Sequence, residues 1–485
     1  MGNTGPTSSV TQVFTTRCLE WRWIHGDREC ANKRVLFFLN CSNRKSFKRF
    51  PTALEWARFR EYARRMRRLR GPGDPNFLSS EVLAVLQFRA INEQLFPNLK
   101  SLDVWSTIEE FVPFIPSFLS TRTTSISITF DGYSLPKAVF ASMVTAFPVL
   151  CPSLQTICLY FLPRDPIITA AVSEFLLTTN RDALRHLRVD SPLTEEAREV
   201  VHKLSDLHGL WVVVEGSTSL PTMVLPNLTE IDVEYDHNFN WLRGFRGATL
   251  GRLNSVTFRA KSESTQVSGF LEAFESAGIT TSTTLSTFRF FTHHPWRPNY
   301  RSLLSFKQLR ELEIEFPCEG GCSSAIDDDV LTDLARAMPK LEVLLLGGEP
   351  CRTPAGVTTK GLTALAHHCP NLSSLRIHLR VDSFSAPATP HTGSTAPRKD
   401  CALAGLYVGE TPMSEESVLM VALTLVRIFP RIMWINYTDE NWEKVSDAIR
   451  LSGQVVDSSS KKHSLATPRN NIYDVSPGAT LESGS

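Results

Sequence analysis

The chain has 485 residues, of which 42% are apolar and 21% charged, and its formal net charge is +1. This composition is typical of a globular protein, and the balanced charge argues against a general affinity for nucleic acid or membranes. No stretch approaches the ~18 consecutive apolar residues of a transmembrane helix, and the polar start MGNTGPTSSVTQ lacks the apolar core of a signal peptide. We therefore expect a cytoplasmic or nuclear protein whose ten cysteines remain thiols.

The first two segments of the chain differ in their predicted structure. Residues 1–45 are predicted to be partly disordered, whereas residues 46–95 are basic and predicted to form a helical cap. The run WARFREYARRMRRLR, residues 56–70, has seven arginines and one glutamate, with apolar residues at helical spacing. Its arginines fit a nucleic-acid patch or a nuclear import signal, but a solvated helix face is the commoner outcome and is favoured.

A repeated pattern fills residues 96–450. The segment CPNLSSLRI, residues 369–377, returns as FPNLKSLDV, CPSLQTICL, LPNLTEIDV and MPKLEVLLL, and looser copies keep Leu-x-x-Leu-x-Leu. The first positions of these units are 99, 123, 154, 184, 207, 228, 253, 285, 309, 341, 372, 403 and 432. Their average spacing of about 28 residues lies within the ~20–29 residues of leucine-rich repeats. The weakest copy is TSISI, residues 124–128.

Each unit predicts a helix followed by a strand. The alternating run is typical of a strand with one buried face, and the proline before it ends the preceding helix. In DDDVLTDLARAM the apolar residues have helical spacing, and Asp327–Asp329 are candidates for the N-cap. TTKGLTALAHH repeats this arrangement, with Thr358 or Thr359 as the N-cap candidate. We predict an α/β leucine-rich-repeat solenoid, a horseshoe with its parallel sheet on the concave side and its helices on the convex side. Residues 383–400 are predicted to be a loop insertion, and residues 451–485 a disordered tail.

No catalytic, metal or cofactor site is predicted. The pair Cys318 and Cys322 and the cluster His367–Cys369 do not supply the recurring short-spaced ligands of a zinc site. The three aspartates lack a calcium-loop pattern, and no nucleophile elbow, phosphate loop or dinucleotide fingerprint occurs. Cys151 and Cys369 stand at equivalent helix ends, where cysteine acts as a small buried hydrophobe.

The concave face is the predicted binding surface, because side chains alternate along a strand and every second one points away from the core. We place a protein partner there, on Arg259, Arg289, Phe291, Glu311, Glu313 and Arg376. Aromatic residues on the strands could anchor the partner; they are Trp105, Tyr160, Trp211, Phe291, Tyr407 and Trp434. In the alternative interpretation, the opposite charges on neighbouring strands only pair with one another.

The repeats and the basic helix together resemble fungal F-box-like leucine-rich-repeat proteins, up to about residue 440. The helix residues that carry the resemblance are Trp56, Arg58, Phe59, Tyr62, Ala63 and Arg65. The resemblance implies a non-enzymatic substrate receptor of a ubiquitin ligase, with an adaptor, a cullin and a protein substrate as partners. Residues 1–45 show no recognisable F-box, so an adaptor-independent interaction scaffold remains the alternative. Membrane partners are not expected, and nucleic acid is disfavoured.

Overall fold

The computed structural model of the protein describes residues 38–41, 44–47, 51–70, 80–90, 94–107, 109–130, 136–215, 225–235, 252–260, 284–292, 300–316, 326–347, 356–384, 401–409, 411–437 and 439–457. Several predictions concern residues outside these ranges and are not tested. They are the disorder of residues 1–37 and of the tail beyond 457, the insertion beyond residue 384, and the pair Cys318 and Cys322.

The N-terminal region contains an antiparallel hairpin, β1 (Phe38–Cys41) and β2 (Arg44–Phe47), and the helices Ala53–Arg65 and Ser80–Ala90. A capping box begins the first helix: the Thr52 hydroxyl accepts from the Glu55 amide, and the Glu55 carboxylate accepts from the Thr52 amide at 2.8 Å.

The prediction of one helix through residue 70 is wrong in its last turn. The helix ends at Arg65, Met66 is extended, and Arg68–Arg70 forms a strand, β3, paired with residues 101–103. The apolar spacing that assigned Leu69 to the helix also fits a strand, where its side chain is buried. Pairing with the next strand decides between the two, because it satisfies backbone groups that a frayed helix end would expose.

Among the described residues that follow, one sheet of 14 strands forms, with strands β3 to β16 in sequence order. Every neighbouring pair is parallel. Beyond β3 the strands are β4 Ser101–Thr107, β5 Ser125–Phe130, β6 Thr156–Tyr160, β7 His186–Pro192, β8 Gly209–Val214, β9 Glu230–Tyr235, β10 Ser255–Ala260, β11 Thr287–Thr292, β12 Glu311–Glu315, β13 Val343–Leu346, β14 Ser374–Arg376, β15 Gly405–Gly409 and β16 Trp434–Tyr437.

The repeat positions predicted from sequence locate these strands closely. Each of the strands β4 to β16 begins two residues after the first position of a predicted unit, including the unit with the weakest match, in which β5 begins at Ser125. The parallel sheet and the α/β class are therefore confirmed. Consecutive units pair with their immediate neighbours, which is the arrangement of a stacked repeat protein.

Helices connect many of the strands and cover one face of the sheet. They are Ile115–Phe118, Lys137–Leu150, Pro166–Thr178, Glu195–Val201, Asp328–Ala337, Thr359–His368, Val418–Ile428 and Glu440–Asp457, with 3-10 turns at Glu109–Phe114, Tyr300–Leu303, Val381–Ser383 and Glu415–Ser417. Alternate strand residues and the inner helix residues form one continuous core. None of the described helices is both long and apolar enough to cross a membrane.

Four helices end at the residue before the unit's proline, as predicted. Cys151, Met338, Cys369 and Phe429 are their C-caps, with ψ between 64° and 81°, which leaves the helical region. All four side chains are buried. Burial raises the pKa of the Cys151 thiol to about 11 and that of Cys369 to about 12, so both act as small hydrophobes.

The aspartate cluster caps helices, as predicted. The Asp327 carboxylate accepts from the amides of Asp329 at 3.0 Å and Val330 at 2.9 Å. Asp328 extends this role to the next unit, because it accepts from the Thr358 amide at 2.8 Å and the Gly361 amide at 2.9 Å. One carboxylate thus satisfies N-terminal donors of the neighbouring helix.

His202 makes the stability of the fold depend on pH. It caps the helix Glu195–Val201, is 7% exposed, and neither ring nitrogen has a hydrogen-bond partner. Burial, helped by Arg198, lowers the pKa of His202 from 6.5 to about 4. The unfolded chain therefore binds the extra proton between pH 6.5 and 4, so stability falls as the pH is lowered through that window.

We expect wild type to lose ~3 kcal/mol more stability than His202→Leu between pH 7 and pH 4, from a shift of this size. At pH 7 the variant should be at least as stable as wild type, because two unsatisfied polar atoms are removed. Urea midpoints of both proteins at the two pH values measure this. Parallel pH dependences would contradict the role assigned to His202.

Candidate protein-recognition surface

The sheet face opposite the core, called the polar face here, carries one unbroken row of side chains. Strand register places the fifth residue of each unit, and Arg70 of β3, side by side. This middle row consists of Arg70, Asp103, Ser127, Cys158, Arg188, Trp211, Asp232, Thr257, Arg289, Glu313, Leu345, Arg376, Tyr407 and Asn436. Adjacent strands lie about 4.8 Å apart, so a bound segment could touch several of these residues at once.

Four of the six predicted binding residues lie together in one ion-pair network on β11, β12 and β14. Arg289 Nη2 lies 2.9 Å from Glu311 Oε2, and Arg289 Nε lies 3.5 Å from Glu313 Oε2. Arg376 Nη2 lies 3.4 Å from Glu313 Oε1 and 3.2 Å from Glu315 Oε2. These contacts are the cross-strand charge pairs that the alternative interpretation predicts. Two arginines against three glutamates leave this acidic network with a net charge of −1.

Glu313 is less exposed than the alternation of strand residues suggests. Its side chain is on the polar face, but only 19% of it is accessible, because arginines from both sides converge on it. Burial raises the pKa of Glu313, and Arg376 and Arg289 oppose that rise. Glu313 therefore organises the two arginines as well as contributing charge to the surface.

The other two predicted residues, Arg259 and Phe291, lie side by side on β10 and β11. The Arg259 guanidinium lies 4.8 Å from the Phe291 ring centre and 5.3 Å from that of Trp211. Its Nε is 3.3 Å from Asp232 Oδ1. Asp232 is only 8% exposed, and this burial raises its pKa to about 6 against the lowering effect of Arg259.

Arg188 is a polar-face residue that the sequence analysis did not single out. Its guanidinium lies over the rings of Trp211 and Tyr160, 4.3 Å from the Tyr160 ring centre. The two rings meet edge to face with centres 6.1 Å apart. Charged polar-face residues were predicted only from the unit at Leu228 onward, yet the earlier unit LRHLRV already carries arginine at its fifth position. We call Tyr160, Arg188, Trp211, Arg259 and Phe291 the aromatic–arginine cluster.

Of the three remaining aromatic candidates, Tyr407 and Trp434 have described side chains and Trp105 does not. Tyr407 and Trp434 pack edge to face with ring centres 4.8 Å apart, on β15 and β16. Trp434 lies against Gly405, where a Cβ atom would overlap the indole ring. A glycine is therefore required beneath this tryptophan.

Gly405→Ala is expected to destabilise the protein by ~1–3 kcal/mol, because the indole ring must move away. In a Trp434→Ala background the same change should have almost no effect, since the overlap is gone. Thermal unfolding of the four proteins in this double-mutant cycle measures the coupling. Equal effects of Gly405→Ala in both backgrounds would show that Trp434 does not constrain this position.

Within the described residues, no group of three or more His, Cys, Asp or Glu side chains is arranged to hold a metal ion. Comparison with protein-family models and with curated protein sequences found no match for the chain.

Proposed function

We propose that the chain is a non-enzymatic protein-recognition module, a leucine-rich-repeat horseshoe whose polar face is concave and binds a protein partner. The observation that carries the proposal is the middle row, which continues across 14 strands and contains charged and aromatic residues. Arginine and aromatic side chains are enriched among residues that dominate protein interfaces. The acidic network and the aromatic–arginine cluster would contact neighbouring parts of one partner.

The proposed role is that of a substrate receptor similar to the receptor half of an F-box ubiquitin ligase. The helix Ala53–Arg65 supports it, because the residues that carry the family resemblance lie on this helix, with Trp56 and Ala63 buried and the arginines exposed or half-buried. In that role the polar face would select the protein to be ubiquitylated.

An adaptor-independent scaffold is the second candidate. It is favoured by the antiparallel hairpin of β1 and β2, which occupies part of the segment where the family has a helical F-box. In this role the polar face binds the same kind of partner but does not connect it to a ligase.

Affinity purification of the tagged chain from its native cells separates the two roles. Quantitative mass spectrometry should find an adaptor and a cullin at near-stoichiometric amounts if the chain is a ligase receptor. Stable protein partners without adaptor or cullin would assign the scaffold role. A chain that captures no protein above an empty-tag control would contradict both.

A further inference from the structure

Arg188 differs from four other arginines of the polar face in its lack of a carboxylate. Arg70, Arg259, Arg289 and Arg376 each form an ion pair with Asp or Glu. Arg188 forms none with any described residue, and its contacts there are with the rings of Tyr160 and Trp211. The cluster thus contains one arginine whose charge is stacked but not neutralised by a direct partner.

The orientation of Arg188 determines which of its atoms a ligand could reach. Its Nε is buried without a hydrogen-bond acceptor, as is Trp211 Nε1. The two terminal nitrogens, Nη1 and Nη2, form no hydrogen bond with a described residue. Unlike Nε they are not buried, so both are accessible to solvent. The Tyr160 and Trp211 rings, nearly perpendicular to each other, lie beside the guanidinium. Its terminal N–H groups keep the planar fork that recognises a carboxylate in bidentate fashion.

An exposed aromatic side chain, Phe161, lies next to the aromatic–arginine cluster in the sequence. Phe161 follows Tyr160 directly and is 52% exposed. Its φ of +56° is unusual for a residue other than glycine, and its amide is held by Asp190 Oδ2 at 2.7 Å. A large aromatic residue fixed in an unfavourable conformation and left exposed suggests a contact role.

The local charge favours a singly charged ligand group. Asp190 stands on the same strand as Arg188, and Asp232 and Glu234 lie on β9, two strands away. A phosphate group, with a charge near −2, would be repelled more strongly by these carboxylates than a single carboxylate would.

We propose that Arg188 is the docking point for an Asp or Glu side chain of the protein partner, with a neighbouring large apolar side chain packed on Tyr160, Trp211 and Phe161. This inference rests on the proposed function and names the class of segment recognised. Binding the carboxylate would give Arg188 the ion pair that the other four arginines already have, in a site where aromatic rings partly exclude water.

A phage-displayed library of random seven-residue peptides tests the proposal. It is selected on the wild-type chain, on Arg188→Met, and on Arg427→Met, a matched control at an exposed position of the helix Val418–Ile428. Wild type and the control should enrich peptides with Asp or Glu beside a large apolar residue, and Arg188→Met should not. Acidic enrichment that persists in Arg188→Met, or no acidic enrichment by wild type, would overturn the proposal.

A double-mutant cycle separates recognition from a structural role of Arg188. An enriched peptide in which Glu is replaced by Gln should bind wild type about tenfold or more weakly, and Arg188→Met should show no such difference. Arg188→Lys keeps the charge but not the fork, so it should retain only part of the difference. A phosphoserine version that binds wild type tighter than the Glu version would overturn the assignment to a carboxylate.

Melting temperatures of all variants verify folding before binding is compared. If the peptides show no acidic preference but native partners are still lost when Arg289 and Phe291 are changed, only this inference fails. If native partners do not depend on the polar face at all, the proposed function fails.

Discussion

Leu312→Asp is expected to destabilise the protein by at least ~4 kcal/mol, because it places a charge in the core without a partner. Leu312 is 0% exposed and lies between Phe288 and Leu344 in the strand register. Glu313→Ala, one residue further, should cost only ~1 kcal/mol, since an ion pair with some solvent access contributes little. Arg289 and Arg376 each keep another glutamate, Glu311 and Glu315.

Urea unfolding followed by circular dichroism measures both variants, and Leu312→Met is the control for a volume-conserving change, expected to cost less than ~1.5 kcal/mol. Similar midpoints for Leu312→Asp and Glu313→Ala would show that the faces of β12 are assigned the wrong way round. That result would also invalidate the middle row.

Trp442→Ala is expected to destabilise the C-terminal end of the stack by ~3–5 kcal/mol, the usual cost of truncating a buried aromatic residue. Trp442 is 0% exposed, and its Nε1 donates to the Thr411 carbonyl at 2.8 Å. Its helix, Glu440–Asp457, packs on the helix Val418–Ile428 and on β16. Removing the indole leaves both a cavity and an unpaired buried carbonyl.

Hydrogen exchange with mass spectrometry locates this effect. Protection should fall most in the helices Val418–Ile428 and Glu440–Asp457, because a stacked repeat protein loses structure locally when an end is weakened. Leu451→Ala, on the same helix but 64% exposed, should leave exchange unchanged. Uniform loss of protection down to β5 would contradict an independent C-terminal unit.

The strands were predictable because the repeat itself encodes them. Even TSISI, with the weakest match, forms the strand Ser125–Phe130, since its neighbours on both sides provide pairing partners. The strand Arg68–Arg70 was assigned to a helix, because three residues carry no periodicity and only tertiary pairing reveals them.

The polar face was predictable in position but only partly in its chemistry. Alternation placed Arg289 and Glu313 on it, but their pairing and the low exposure of Glu313 depend on side-chain directions across strands. Arg188 could have been found by reading the fifth position of every unit. The contacts of its guanidinium with two rings could not be predicted in this way. Tyr160 and Trp211 lie in the preceding and following units, and only the fold brings them to Arg188.

The most direct test of the account asks whether the polar face binds the partner. Proteins co-purifying from native extract are quantified for wild type, for Arg289→Glu with Phe291→Ala, and for Arg427→Glu with Leu423→Ala, a matched pair of exposed residues on the helix side. All three chains must first show equal melting temperatures. We predict that the polar-face variant loses specific partners that the helix-side variant retains. An unchanged partner set for the polar-face variant, or loss confined to the helix-side variant, would contradict the account.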